Sequence, residues 1–276
     1  MLSRRWLINA ALLVLIASLV TAGRLLKEEP TEASGQQLIS LELSEVSRIE
    51  IRVGDSPIVL QRRNDRWRIT APVEWSAQTA NVDRLMTLLK VETSPVGKLD
   101  EIDPAALGLA PALASVAFNG HWLYFGVTNN IGGRRYVQYQ DDLYLVPDTH
   151  LAFATQGLPG LVDRQLIPDD LGIVSFELPD GRVEQDADGS WQLHPTGSAV
   201  RPLPDFDNWR RRSATSIRPA DSSATAIARL PLKLGDDESL DLALMSTEPE
   251  IIIANPQNGL QYHYPRDYFV SLLASE

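Results

Sequence analysis

Residues 48–70, RIEIRVGDSPIVLQRRNDRWRIT, admit little other than an antiparallel meander. A strand turns alternate side chains to opposite faces, so Ile49, Ile51 and Val53 share one face. The chain turns at Gly54-Asp55, returns through Ile58 and Leu60, turns again at Asn64-Asp65 and leaves through Trp67 and Ile69. After Pro72, NVDRLMTLLK spaces Val82, Leu85, Met86, Leu88 and Leu89 along one side of a short helix. SVAFNGHWLYFGV then holds an Asn119-Gly120 turn, and RRYVQYQDDLYLVP forms another hairpin about Asp141-Asp142.

The same order returns in the second half. IVSFELPDGRVEQDADGSWQL turns at Asp180-Gly181 and Asp188-Gly189, and Trp67 and Trp191 stand 124 residues apart, as do Ile49 and Ile173. FDNWRRRSATSI takes the helix's place, and PEIIIANPQNGLQYHYP supplies the last hairpin. Tyr144 and Pro147 correspond to Tyr262 and Pro265, at an offset of 118. The spacing predicts an internal repeat. Trp67 and Trp191 are expected as structural residues, packed at the hairpin-to-helix junctions with most of each ring buried.

The N-terminus MLSRRWLINAALLVLIASLVTAGRLLKEE has no charged residue from Trp6 to Gly23. That length is near the minimum for a membrane-spanning helix. A retained signal anchor is favoured over a signal peptide cut after Ala22, because the apolar run exceeds the usual length of a cleaved segment. Arg4 and Arg5 before the span predict a cytoplasmic N-terminus, a single pass through the inner membrane and a periplasmic bulk.

The expected fold class is α+β: an N-terminal transmembrane helix followed by two tandem repeated modules of antiparallel sheet with a short packed helix each. The expected divisions are 1–5 cytoplasmic, 6–23 transmembrane, 24–37 linker, 38–165 first module and 166–276 second module.

A net charge of −11 over 276 residues repels phosphate backbones and argues against nucleic acid as a partner. The absence of cysteine excludes disulfides, thiolate nucleophiles and thiolate metal sites. Glu184, Asp186, Asp188 and Gly189 echo the start of a calcium loop, but Pro195 occupies the position of its closing glutamate. His121, His150, His194 and His263 show no zinc-ligand spacing. The pairs Asp141-Asp142, Asp169-Asp170 and Asp236-Asp237 read as solvated turns, since adjacent strand residues point to opposite faces. NNIGGRR, residues 129–135, reads as a Gly-Gly turn before an anion cradle. No catalytic residue, metal ligand or cofactor is expected. Trp209, Arg210, Arg211 and Arg212 form a dense basic cluster and a candidate docking patch for a partner.

The N-terminal span, IEI, the hairpin, RWRITAP, the Val/Leu-rich helix, LGL at 107–109 followed by Pro111, and YFGV at 124–127 resemble the family catalogued as domain of unknown function 4340. The resemblance covers residues 38–170 best. Some of that family's members look like auxiliary components beside ABC-type transporters, which implies an envelope accessory role and a protein partner, ABC-type transporter components among the choices. The expected function is accordingly a non-enzymatic, membrane-tethered interaction component. The alternatives are an exported hydrolase or carbohydrate-active enzyme with carboxylates between the modules, and a soluble periplasmic ligand-binding protein released by signal cleavage.

Overall fold

A computed structural model describes residues 36–268 apart from 55–56, 131, 153, 169–170, 179–180, 197–210, 222 and 235–238. The first half contains β1 (Gln36–Gln37), β2 (Arg48–Arg52), β3 (Pro57–Arg63), β4 (Arg66–Ala71), β5 (Trp75–Ser76), β6 (Glu92–Thr93), β7 (Gly97–Lys98), β8 (Ala114–Phe118), β9 (His121–Thr128), β10 (Arg134–Tyr139) and β11 (Asp142–Pro147). The second contains β12 (Ile173–Leu178), β13 (Gly181–Gln185), β14 (Trp191–Pro195), β15 (Ser216–Pro219), β16 (Ala228–Leu234), β17 (Ser239–Ser246), β18 (Glu250–Asn255) and β19 (Leu260–Pro265). Two α-helices accompany them among the described residues, α1 (Thr79–Met86) and the single turn α2 (Leu158–Leu161).

Turn chemistry sets the hairpins. Asn64 and Asp65 between β3 and β4 have φ of 50° and 60°, and Asn119 and Gly120 between β8 and β9 have 48° and 89°. Two successive positive φ values make the tight turn whose twist matches antiparallel strands, and Asn, Asp and Gly adopt it at least cost.

The main antiparallel sheet of the first half runs β5-β4-β3-β2-β8-β9-β10-β11-β7, and that of the second runs β14-β13-β12-β16-β17-β18-β19-β15. The first strand of each meander lies beside the first strand of the later hairpins, β2 against β8 and β12 against β16. The landmark residues occupy corresponding strands: Trp67 in β4 and Trp191 in β14, Tyr144 in β11 and Tyr262 in β19. A separate two-stranded ribbon pairs β1 with β6.

The architecture corrects the expected α+β class. The chain is mostly β, 50% strand and 13% helical, with two antiparallel sheets. The period-2 runs dominate it, while the longest helix among the described residues has eight residues. After Met86 the chain tightens into a 3-10 turn over Thr87–Lys90, which buries Leu88 and Leu89. Of FDNWRRRSATSI, residues 206–210 lie outside the described residues, and the stretch from Ser216 onward is strand, not helix. There β15 pairs with β19 through Ser216–His263 and Ile217–Tyr262, so the helical reading fails from Ser216 on, while Arg211 is helical.

The expected location is corrected as well. Among the described residues no helix is long and apolar enough to cross a membrane. The structure therefore gives no support to a single-pass inner-membrane anchor with a periplasmic bulk. The span 6–23 itself lies outside the described residues.

One hydrophobic core runs through both halves, from Ile49, Ile51, Phe118 and Phe125 to Phe176, Leu232, Ile253 and Tyr262. The segment 161–167 joins them, with Leu161, Val162, Leu166 and Ile167 buried. On one side Gln78 N–H donates to the Leu161 carbonyl at 2.7 Å and Asp163 N–H to the Ser76 carbonyl at 2.9 Å. On the other, Arg164 accepts from Ala214 N–H at 2.9 Å, and its guanidinium Nε donates to the Ala214 carbonyl at 2.9 Å. A second guanidinium nitrogen reaches the Thr215 carbonyl.

Tyr262, fully buried, accepts a hydrogen bond from Asn258 Nδ2 at 3.0 Å. Burial raises its pKa; the Asn258 bond works against this, the Asp163 carboxylate adds to it, and the Trp75 indole opposes it. Trp75 Nε1 is close enough to act on that hydroxyl, yet buried without a well-aligned hydrogen bond. Groups of the first half thus set the environment of a second-half side chain.

At the far end of the first sheet, Asp148 accepts from Arg135 Nε at 2.6 Å and Thr128 Oγ1 at 2.6 Å, and Arg135 Nη1 donates to the Gly126 carbonyl at 2.6 Å. The Arg135 bond is the main reason the Asp148 carboxyl titrates below its ordinary range; burial opposes it and Thr128 assists. Asp148→Asn should cost about 1–3 kcal/mol in urea unfolding at neutral pH. Because the folded pKa lies below the unfolded one, this stability is present above the ordinary Asp range and is lost as pH falls through the lower folded value. The variant should lack that acid-side loss. Arg164→Ala should cost about 1–2 kcal/mol by removing the donors to Ala214 and Thr215. A thermal midpoint equal to that of the parent would show that the join does not depend on the guanidinium.

Candidate functional site

Strand β2 buries Ile49 and Ile51, so Arg48, Glu50 and Arg52 must face outward. The register carries this face across the sheet. Glu50 lies opposite Ala117 and Ala117 opposite Trp122; Arg52 lies opposite Ser115 and Ser115 opposite Tyr124. Strand β8 separates a charged ridge on β2 from an aromatic ridge on β9, and its small side chains Ser115 and Ala117 are buried between them. Arg52 reaches across β8, its guanidinium carbon 4.1 Å from the centre of the Trp122 ring. Trp122 and Tyr124 stack with ring centres 6.2 Å apart and planes at 23°.

Glu50 fixes both arginines. Its Oε1 accepts from Arg52 Nη2 at 2.7 Å and Nε at 3.1 Å, and its Oε2 from Arg48 Nη2 at 3.2 Å. The Arg52 bonds hold the Glu50 carboxyl below its usual range; burial opposes them and Arg48 adds to them. The arginine side chains stay half-exposed, at 46% and 56%, while Glu50 is at 18%. The same face continues through Gln61 opposite Arg48, Arg68 opposite Gln61 and Ser76 opposite Arg68. Flat aromatic area, guanidinium donors and a carboxylate already bonded suit this platform to holding a partner surface.

A second concavity lies where the two halves meet, as adjoining hollows of about 200 Å³ and about 330 Å³ that share Arg68, Ser76 and Pro168. Arg66 and Arg68 enter from β4, and Asp163 and Glu74 also line the hollows. This seam is where the alternative reading places its carboxylates. Those two acids line different hollows.

Trp67 is 5% exposed, and its carbonyl accepts from Ala77 N–H at 3.1 Å. Trp191 begins β14, the last strand of its sheet, and is only partly buried against the core. Of the basic cluster, Trp209 and Arg210 lie outside the described residues, while Arg211 and Arg212 are exposed. Next to them Ser213 bridges Gln165.

The calcium-like phrase is a hairpin turn. Asp188 Oδ1 accepts from Ser190 N–H at 3.0 Å and Oγ at 2.7 Å, so its oxygens serve the turn and its pKa is lowered. Among the described residues no group of three or more His, Asp or Glu could hold a metal ion. Of the paired acids, Asp141-Asp142 sits at a hairpin turn, and 169–170 and 236–237 lie outside the described residues. The glycines of NNIGGRR form a turn, and Arg135 points instead to Asp148.

The histidines do not converge. His121 pairs with Tyr139 through Nδ1 at 3.0 Å and His150 with Thr87 at 2.9 Å, while His194 is exposed on β14. Burial lowers the His150 pKa, and a backbone bond to Arg84 opposes it. His263 is buried, with Nδ1 at 2.7 Å from Glu250 Oε1.

Sequence reasoning missed Arg48, Glu50, Arg52, Trp122 and Tyr124 as a group. Its signal was present in two pieces, since RIEIR and HWLYF both alternate apolar with polar or aromatic residues. Only the placement of β8 between β2 and β9 brings the pieces together. No family model matches the chain, and neither a curated protein nor a solved structure matches it.

Arg52→Ala should leave stability within about 0.5 kcal/mol of the parent in urea unfolding, because the pair is half-exposed. Trp122→Ala should cost about 1–2 kcal/mol, since the half-buried ring covers β8. A loss for Arg52→Ala as large as for Trp122→Ala would mark the arginine as part of the fold and not of a surface built for contact.

Proposed function

We propose that the chain is a non-enzymatic interaction component of a larger assembly, and that it offers the outer face of the first sheet to a protein partner. The observation that carries this reading is the Arg52–Trp122–Tyr124 platform, with the guanidinium 4.1 Å above the indole. Trp, Tyr and Arg are the residues that dominate binding energy at protein interfaces. Packing against each other on regular strands limits the side-chain freedom that association would otherwise remove. Kinship with the family catalogued as domain of unknown function 4340, and a place beside an ABC-type transporter assembly, belong to the same proposal and rest on the sequence phrases alone.

The test is co-purification of the tagged full chain from its native cells, parent against the double variant Arg52→Ala, Trp122→Ala. A defined companion chain should accompany the parent and be lost from the variant, while the variant's circular dichroism remains that of a folded β protein. Equal recovery of the companion with both would overturn the reading.

A further inference from the structure

We infer that the outer face of the first sheet takes an acidic, extended segment of a partner protein, and that Glu50 occupies part of that site as an internal substitute for the partner's carboxylate. The inference rests on the interaction reading above and names the partner's chemistry.

Three observations converge on it. Positions 48–68 hold six arginines against three acidic residues, whereas the whole chain has a formal charge of −11. The positive charge is therefore concentrated on the strands that build the platform, and the complementary surface is negative. The arginines are only partly neutralised from within. Glu50 serves Arg48 and Arg52 together, Arg62 meets Asp65 at 3.2 Å, Arg63 meets Glu74 at 3.4 Å, and Arg66 is exposed with no ion pair among the described residues.

The third observation is the geometry of Glu50. One carboxylate oxygen receives two nitrogens of Arg52 and the other one nitrogen of Arg48. The face already holds a carboxylate by three guanidinium N–H bonds, two of them converging on one oxygen, so its arginines are placed to take a carboxylate. An extended chain sends alternate side chains to one side at about 7 Å intervals. Acidic residues at every second position of such a segment would all face the sheet and meet its arginines, with intervening atoms against the Trp122 and Tyr124 rings. In binding, the incoming carboxylates displace Glu50 from part of its bonding, so Glu50 opposes the partner.

The opposition gives the inference its test. The probe is a fluorescein-labelled peptide of alternating Glu and Thr, titrated with the full chain and followed by fluorescence anisotropy. The parent should bind it, with an affinity that falls as salt rises. Glu50→Gln should bind about twofold to fivefold more tightly, as expected for removal of a competing carboxylate whose arginine partners are half-exposed. Arg52→Glu should weaken binding at least about tenfold.

Unchanged or weaker binding by Glu50→Gln would overturn the inference and leave Glu50 as a structural brace. Tighter binding of a labelled oligothymidylate than of the peptide would overturn it in favour of nucleic acid. Arg52-dependent self-association of the chain in sedimentation, without peptide, would overturn it in favour of a second copy. If the peptide fails to bind while the Arg52→Ala, Trp122→Ala variant still loses its native companion, the acidic chemistry is wrong and the interaction reading stands. If that variant keeps its companion, the interaction reading itself fails.

Discussion

The pleat is the constraint on which the rest depends. A strand that commits Ile49 and Ile51 to the core has no choice about Arg48, Glu50 and Arg52, because a shift of one residue would bury three charges and expose two isoleucines. An unpaired buried charge costs several kcal/mol, far more than any exposed ion pair returns. Core burial thus fixes the register, and the register fixes the charged face. On β9 the same logic buries Leu123 and Phe125 and turns Trp122 and Tyr124 outward.

The strands were legible in the sequence for this reason: the period-2 pattern is local, and so are the Asn-Asp and Asn-Gly turns that join them. Trp67 and Trp191, set 124 residues apart in the sequence, fall in β4 and β14, each the strand that follows its meander's second turn. The balance of helix and strand was not legible, because FDNWRRRSATSI has helical composition while Ile217 is held by pairing with Tyr262, a residue 45 positions later (262 − 217). The platform was hidden for a related reason. Arg52 and Trp122 become neighbours only through Ser115 and Ala117 on an intervening strand, and neither segment names the other. The dense arginine run at 210–212 drew attention by adjacency in sequence, whereas the arginines of β2–β4 are spread by alternation and gather only across the sheet.

Strength and selectivity on the platform come from different sources. The Arg48–Glu50–Arg52 bonds are half-exposed, and such pairs contribute up to about 1 kcal/mol each. They do little for global stability, and their effect is to hold the guanidinium of Arg52 over the indole. The ring contact adds about 0.5–1 kcal/mol at an exposed site. An arrangement of several weak, mutually orienting contacts can be redirected to a partner at small cost.

The join at 161–167 bears on what such a surface can transmit. Its backbone is bonded to Ser76 and Gln78 on one side and to Ala214 on the other, and its apolar residues lie in a core shared by both sheets. Strand β5, which carries Ser76, is also the edge that pairs with β4, whose Arg68 continues the charged face. A partner seated on that face presses on a strand that is hydrogen-bonded, through one residue pair, to the segment holding the second half. The two halves are therefore joined through packed, bonded neighbours: the same short segment gives its backbone to both and its apolar side chains to the core they share.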